Sequence, residues 1–291
     1  MLVFGLSQGQ IAKNIALHLG VSLGKIETKH FPDGELYIRF LNNLENQEVV
    51  LVQSTHPEPD KKLVELFFAG RTAKELGAKK VIGVLPYLCY MRQDKRFKEG
   101  ECVSNKMMAF MLNHCLDKII TVDPHLHRVK SLAELFHIEW KKVSANNKIA
   151  EFITKNFNKK QCIIIGPDIE SSQWAKRIAE KIGFESGIFL KTRYSSRKVS
   201  LKEEQKIKVK GKKVIIVDDI VSSGHTMLEA IKEVKKRGAK EVDCVCIHGI
   251  FAENSYEKIV KVKAKVFSCN TIIHKSNKID VSEEIAKALK E

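Results

Sequence analysis

The densest chemistry in this chain lies in one run of thirteen residues, Val214-Ile215-Ile216-Val217-Asp218-Asp219-Ile220-Val221-Ser222-Ser223-Gly224-His225-Thr226. Four apolar residues predict a buried strand. Two acids follow at its carboxyl end, the end at which open α/β sheets bind ligands. A small, hydroxyl-rich turn then leads into a helix. Backbone N–H groups at a helix N-terminus attract anions, and Gly224 lets the chain approach a phosphate closely. Ser222, Ser223 and Thr226 can donate hydrogen bonds to the same phosphate. Asp218 and Asp219 can accept them from vicinal sugar hydroxyls. The combination fits a sugar that carries a phosphate. The bland alternative is a helix cap behind two exposed acids.

This run resembles the phosphoribosyl diphosphate motif of type I phosphoribosyltransferases and of ribose-phosphate pyrophosphokinases. The resemblance implies that Asp218 and Asp219 hold the ribose 2- and 3-hydroxyls. It also implies that Ser222, Ser223, Gly224, His225 and Thr226 hold the 5-phosphate. The amino-terminal half separates the two families. Phe31-Pro32-Asp33-Gly34-Glu35 is similar to the F-x-D-G-E signature of the pyrophosphokinases, a loop that in that family binds adenine. Phe31 offers a ring face to a purine, and Asp33 and Glu35 can accept from its amine. Taken alone, Pro-Asp-Gly reads as a plain turn.

Four further segments extend the resemblance. Pro86 to Lys95 is similar to the family's P-Y-x-x-Y-x-R-Q-D segment, which implies that Arg92 and Gln93 contact ATP and that Asp94 helps order the loop. Thr121-Val122-Asp123-Pro124-His125 resembles a strand ending in D-x-H, which puts His125 at the magnesium and triphosphate of ATP. Ile164-Ile165-Gly166-Pro167-Asp168 resembles a strand end whose aspartate binds magnesium near ribose 5-phosphate. Lys191-Thr192-Arg193 matches a catalytic loop with a Lys-x-Arg pair, suited to neutralising charge on a transferring phosphoryl group. The matches run in the family's order over roughly residues 1 to 270. They imply a diphosphoryl transfer from ATP to ribose 5-phosphate, with Mg2+ as cofactor. They also imply a homo-oligomer, a dimer or a multiple of dimers, whose active site lies between domains and at a subunit interface. A type I phosphoribosyltransferase is the second reading, and a noncatalytic regulatory homologue the third. The Ser222-Ser223-Gly224 loop departs from the commoner D-T-x-G-T and resembles the shorter archaeal-type members.

The elements that must position these residues alternate strand and helix almost from end to end. Strands are predicted at Leu2–Gly5, Glu48–Gln53, Lys80–Pro86 and Lys118–Val122, with helices over Ile11–Leu19, Lys62–Leu76 and Asn105–Leu116. In the second half, strands are predicted at Cys162–Gly166, Gly187–Lys191, Lys213–Val217, Glu241–Gly249 and Lys265–Cys269. Helices are predicted at Asn147–Phe157, Ser171–Ile182, Thr226–Arg237 and Val281–Lys290. Such alternation argues for parallel sheets covered by helices on both faces. Gly77-Ala78-Lys79-Lys80-Val81 is echoed by Gly238-Ala239-Lys240-Glu241-Val242. The expected fold is therefore α/β, with two similar phosphoribosyltransferase-like domains. The division is placed at residues 1–145, for ATP, and 146–291, for ribose 5-phosphate.

Composition bounds the remaining classes. The chain has 291 residues, 44% of them apolar, which suits two domains of ordinary size. Seven scattered cysteines read as reduced thiols of a cytoplasmic protein. No apolar run approaches the ~20 residues that span a bilayer, so no membrane is expected. The net charge is +15, and ten Lys or Arg lie between Lys191 and Lys213 against Glu203 and Glu204. No aromatic stripe interleaves them, so polyphosphate substrates, and no nucleic acid, are the expected partners.

Overall fold

The computed structural model describes residues 1–7, 9–126, 128–188 and 208–291. The chain forms two compact units, Met1–Ser144 with Val281–Glu291, and Ala145–Asp280.

The first unit is built on β1 (Leu2–Gly5), β4 (Glu48–Val52), β5 (Lys80–Leu85), β6 (Lys118–Val122) and β7 (Glu139–Val143). They form one parallel sheet in the order β1-β4-β5-β6-β7. Three of its strands read Glu-Val-Val-Leu-Val, Lys-Val-Ile-Gly-Val-Leu and Lys-Ile-Ile-Thr-Val. Such continuous apolar runs fit strands covered on both faces. Helices α1 (Gly9–Leu19), α2 (Pro59–Glu75) and α3 (Ser104–Cys115) cover it. The core of α2, α3 and the sheet is filled by side chains such as Leu51, Leu66, Leu85, Met108, Leu112 and Ile119.

Between α1 and β4 the chain leaves this sheet as an antiparallel hairpin, β2 (Ile26–His30) and β3 (Leu36–Phe40). Neither of these strands is predicted from the sequence, and nor is β7. Their outward positions are charged or half-exposed, so they lack the apolar run that marks a buried strand.

The second unit repeats the scheme. Its strands are β8 (Cys162–Gly166), β9 (Glu185–Ile188), β10 (Lys213–Val221), β11 (Glu241–Gly249), β12 (Lys265–Cys269) and β13 (Asn277–Ile279). All neighbours are parallel, in the order β13-β12-β11-β10-β8-β9. Helices α4 (Asn146–Asn156), α5 (Ile169–Ile182), α6 (His225–Lys236) and α7 (Ser255–Lys261) belong to this unit. The predicted strand over Gly187–Lys191 falls on β9, described over Glu185–Ile188, and its last three expected residues lie outside the described ones.

The two sheets share one strand order: β1-β4-β5-β6-β7 corresponds to β8-β10-β11-β12-β13. The echoed Gly-Ala-Lys segments fall at equivalent places, joining α2 to β5 and α6 to β11. The last helices depart from chain order. α4 follows β7 yet groups with the second unit, where it packs on α5. α8 (Ser282–Lys290) follows β13 yet groups with the first unit, where it packs on α1 and reaches β6 and β7. The domain limits expected from the sequence put Val281–Glu291 in the second domain. The structure places them in the first, because the stripe of Ile285, Ala286 and Leu289 is buried there.

Candidate functional site

In the second unit the strand order reverses between β8 and β10, since β9 lies outside β8 while β11 and β12 lie beyond β10. At such a switch point the loops part and leave a crevice at the carboxyl ends of the strands. Asp168 follows β8, and Asp218 and Asp219 lie on β10. The strand is longer than Lys213–Val217: its pairing with β11 continues through Asp218↔Cys246 and Ile220↔His248 to Val221↔Gly249. The two acids are thus held by a sheet and not by a loop. Asp218 is buried, which also departs from the bland reading of two exposed acids.

Local hydrogen bonds fix the carboxylates. The Asp219 N–H donates to Asp218 Oδ1 at 3.0 Å, and the Ile220 N–H donates to Asp219 Oδ1 at 2.8 Å. Burial pushes the Asp218 carboxyl well above its ordinary range, and the neighbouring Asp219 and Asp168 carboxylates push it further. A group of acids crowded in this way favours a cationic or hydroxyl-bearing ligand. Asp168 also caps α5. Its Oδ1 accepts from the Ser171 N–H at 2.9 Å and the Ser171 hydroxyl at 2.7 Å, while its own N–H donates to Ser171 Oγ at 3.1 Å. Ser171 therefore completes a capping box.

The turn expected to hold the phosphate follows β10. Gly224 is the N-cap of α6 with φ 73, and no side chain caps the first turn. The orphan N–H groups of that turn are the donors a phosphate needs. A Cβ at Gly224 would lie 2.7 Å from Ser255 Cβ, so only glycine fits this left-handed corner. The Ser255 hydroxyl donates to the Ser222 carbonyl at 2.7 Å and ties the loop down. Ser223 Oγ lies 3.0 Å from His225 Nδ1. Ser255 was not legible in the sequence: it stands about thirty positions beyond the motif, at the start of α7, with no pattern to mark it.

In the first unit the equivalent strand end is different. β4 stands where β10 does, but Gln53-Ser54-Thr55 follows it and supplies no paired acids. Gln53 is engaged by Ser7 and by the buried Glu65. The loops after β4, β5 and β6 meet at this end. The Cys89 N–H donates to Thr55 Oγ1, and Thr55 Oγ1 donates to the Tyr87 carbonyl, each at 2.8 Å. Ser104 Oγ donates to Gln93 Oε1 at 2.8 Å. Asp94 is clamped by Arg128, whose backbone and guanidinium both donate to it. Arg92, Gln93 and Asp94 are thus brought to the strand end that also carries Asp123 and His125. Asp123 adopts φ 32, a left-handed corner rare for a non-glycine, immediately before Pro124 and His125.

Phe31, Asp33 and Glu35 stand at the tip joining β2 to β3. The hydrogen bonds of that tip stay within the hairpin: the Phe31 N–H to the Glu35 carbonyl, the Gly34 N–H to the Phe31 carbonyl, and the Glu35 N–H to Asp33 Oδ1. The plain-turn chemistry is therefore present. Phe31 is nonetheless about half-exposed, with its ring edge-on to Tyr37 at 5.7 Å. Lys191 and Arg193 lie outside the described residues.

A doubly wound parallel sheet with a strand-end acid pair and an open helix N-terminus defines an α/β protein of the phosphoribosyltransferase class. Comparisons with known proteins agree. Residues 138–285 match the phosphoribosyl transferase domain, and residues 1–115 match the N-terminal domain of ribose phosphate pyrophosphokinase. A ribose-phosphate pyrophosphokinase of Sulfurisphaera tokodaii is 35% identical, covering 99% of this chain and 100% of that one. One of Methanobrevibacter smithii is 34% identical, covering 100% of both. The chain belongs to the ribose-phosphate pyrophosphokinase family. Its fold matches that of the phosphoribosylpyrophosphate synthetase of Mycobacterium smegmatis with a TM-score of 0.86 at 23% identity, over 100% of this chain and 97% of that one.

Proposed function

We propose that the chain is a ribose-phosphate diphosphokinase, a transferase that makes 5-phosphoribosyl 1-diphosphate and AMP from ATP and ribose 5-phosphate for nucleotide biosynthesis. The observation that carries this reading is the end-to-end match to relatives named for that reaction. The match to the pyrophosphokinase N-terminal domain sets aside the simple phosphoribosyltransferase.

The 1-hydroxyl oxygen of ribose 5-phosphate attacks the β-phosphorus of ATP. The bond from that phosphorus to the bridging α,β-oxygen breaks, AMP leaves with that oxygen, and the hydroxyl proton passes to solvent. No covalent intermediate on the enzyme is required. Asp218 and Asp219 hold the ribose diol, and Ser222 to Thr226 hold the 5-phosphate. Phe31, Asp33, Glu35, Arg92 and Gln93 place the nucleotide, and Asp94 acts by ordering their loop. Lys191 and Arg193 neutralise charge on the transferring group. The rate enhancement then comes from orientation and charge neutralisation.

Magnesium is the cofactor in this reading. Carboxylate oxygens of Asp168, Asp218 and Asp219, crowded enough to raise the Asp218 carboxyl, suit a hard cation. Mg2+ takes one or two carboxylates and completes its shell with water and phosphate oxygens, so a dedicated cage is not needed. His125 would hold one such ion at the triphosphate of ATP and Asp168 a second near the sugar phosphate, where each would supply neutralisation of phosphate charge. Among the described residues no helix is long and apolar enough to cross a membrane, and a cytoplasmic homo-oligomer belongs to the same proposal.

The test is incubation with Mg-ATP and ribose 5-phosphate, followed by separation of the nucleotides. AMP formed in step with phosphoribosyl diphosphate is the expected result. ADP would mean an ordinary kinase. Binding of both substrates without turnover would mean a regulatory homologue.

A further inference from the structure

The loop that joins β5 to α3 presents one aromatic ring to solvent and fixes it there. Phe97 is 58% exposed. One carboxylate holds its backbone: Glu101 Oε2 accepts from the Phe97 N–H at 2.8 Å and from the Lys98 N–H at 3.1 Å. Arg96 Nε donates to the Glu101 carbonyl at 2.9 Å and closes the same turn. Two cations hold the ring. Lys95 Nζ stands 5.2 Å from its centroid and the guanidinium carbon of Arg128 stands 5.6 Å from it, both within the ~6 Å reach of a cation–π contact. Arg128 in turn donates to Asp94 at 2.9 Å. Carboxylate, guanidinium and ring form one chain, and the ring keeps more than half of its surface open with both cations in place.

A single exposed aromatic residue is ordinary. Phe110, for instance, is as exposed on α3, and its ring leans on His114 one turn along the same helix. The setting of Phe97 is different. Lys95, Arg96 and Lys98 surround it in the chain, and Arg92 and Gln93 precede it on the same loop. The acids Asp94 and Glu101 are both engaged in hydrogen bonds that order the loop. An aromatic face set among cations is the chemistry that takes a nucleobase together with its phosphates. Every base has a π-face to stack, and the phosphates answer the positive charge.

From this arrangement we infer that Phe97 is a nucleotide-binding residue, stacking on the base of the triphosphate substrate while Lys95 and Arg128 hold the ring. This contact rests on the proposed function, which brings ATP to the loop, and adds a residue that the sequence motifs do not contain. A base has two faces, so the contact adds to that of Phe31 and does not replace it. Stacking reads no hydrogen-bond pattern, so Phe97 strengthens the binding of purine triphosphates without choosing between them.

Equilibrium binding of Mg-ATP to the full chain, without ribose 5-phosphate, provides the test. Phe97→Ala is expected to raise the Kd roughly 5- to 150-fold, the equivalent of ~1–3 kcal/mol for one base on one ring. Phe97→Trp is expected to keep tight binding, whereas Phe97→Leu, apolar but without a π-face, is expected to lose it. Inorganic tripolyphosphate carries the charge and no base, so its Kd is expected to be the same in wild type and Phe97→Ala. Phe110→Ala is expected to leave both ligands unaffected. Equal weakening of ATP and tripolyphosphate would overturn the inference, because the ring would then serve only the loop. An unchanged ATP Kd in Phe97→Ala would overturn it as well, and would leave the proposed function standing wherever AMP and phosphoribosyl diphosphate still form in step. A Phe97-dependent ATP Kd in a chain that makes ADP, or turns nothing over, would instead sink the proposed reaction and keep the stacking contact. A wild-type chain that binds no Mg-ATP would overturn both.

Discussion

Arg128 grips Asp94 twice, donating from its backbone N–H to Oδ2 at 3.2 Å and from its guanidinium to Oδ1 at 2.9 Å. The Asp94 side chain is 2% exposed, whereas that of Arg128 is 43% exposed. The pair fastens the loop after β5 to the loop after β6, and those loops carry Arg92, Gln93 and His125. Asp94 is therefore occupied in holding this loop, which in the proposed function is a positioning role at the nucleotide site.

Arg128→Ala should raise the KM for ATP more than it lowers kcat, because the loop loses order while the transferring group is untouched. Removing the guanidinium leaves a buried carboxylate short of one charged hydrogen bond, a cost of about 1–3 kcal/mol. The acid side of the stability curve provides a second readout. Burial opposes the charged form of Asp94, but the hydrogen bonds and charge of Arg128 outweigh it and hold the carboxyl below its ordinary range. Stability from that depression is present above the ordinary carboxylate pKa and is lost as pH falls through the depressed one. Melting temperatures of wild type and variant should therefore converge toward low pH. Unchanged ATP kinetics in a folded variant would refute the positioning role.

Gly224→Ala should damage the ribose 5-phosphate site through the backbone. The residue sits at φ 73, and the new methyl would meet Ser255 Cβ at 2.7 Å. The left-handed conformation alone costs a non-glycine about 1–2 kcal/mol. Ser255→Ala is the gentler probe, since it removes only the bond to the Ser222 carbonyl, about 0.5–1.5 kcal/mol. Both variants should raise the KM for ribose 5-phosphate and leave that for ATP unchanged. Equal shifts for the two substrates would indicate general loosening instead.

These positions show where the sequence was legible. The strand, acids, turn and helix start from Val214 to Thr226 could be read because they follow one another in the chain. Most buried strands were readable for a related reason, since both faces of β4, β5, β8 and β11 demand apolar residues. The hairpin β2–β3 and the edge strand β7 were not, because half-exposed strands show no such run. Ser255 and Arg128 act on residues about thirty positions away, and only the folded chain brings them together. The home of α8 was hidden as well. Its apolar stripe says that it packs on something but not on which sheet.

The capping role of Asp168 and its proposed metal role can be separated by choosing the replacement. Asparagine caps a helix about as well as aspartate, whereas alanine costs about 0.5–2 kcal/mol at that position. Asp168→Asn should therefore keep the stability of α5 while raising the Mg2+ concentration needed for half-maximal activity roughly ten-fold, the lower end of what a lost metal contact costs. Asp168→Ala should lose both. Titration of activity against Mg2+ beside thermal melts separates the cases. An Asn variant with an unchanged Mg2+ requirement would remove Asp168 from the metal site.

Asp218 should reveal a cost of function when it is replaced by asparagine. Burial, and then the Asp219 and Asp168 carboxylates, raise its carboxyl well above the ordinary range. A raised carboxyl stabilises the fold below the ordinary pKa and loses that contribution as pH rises toward the folded one. At neutral pH the ligand-free site is thus destabilised by its own charges. The substituted amide would still accept the Asp219 N–H through its oxygen but would carry no charge. Asp218→Asn should therefore melt higher than wild type at pH 7, with the gap narrowing as pH falls toward the ordinary carboxylate range, about 4. Its kcat/KM for ribose 5-phosphate should fall roughly 10- to 150-fold, the equivalent of ~1.5–3 kcal/mol for hydrogen bonds to a charged acceptor. A variant that is both less stable at neutral pH and fully active would contradict the crowded-carboxylate account of this site.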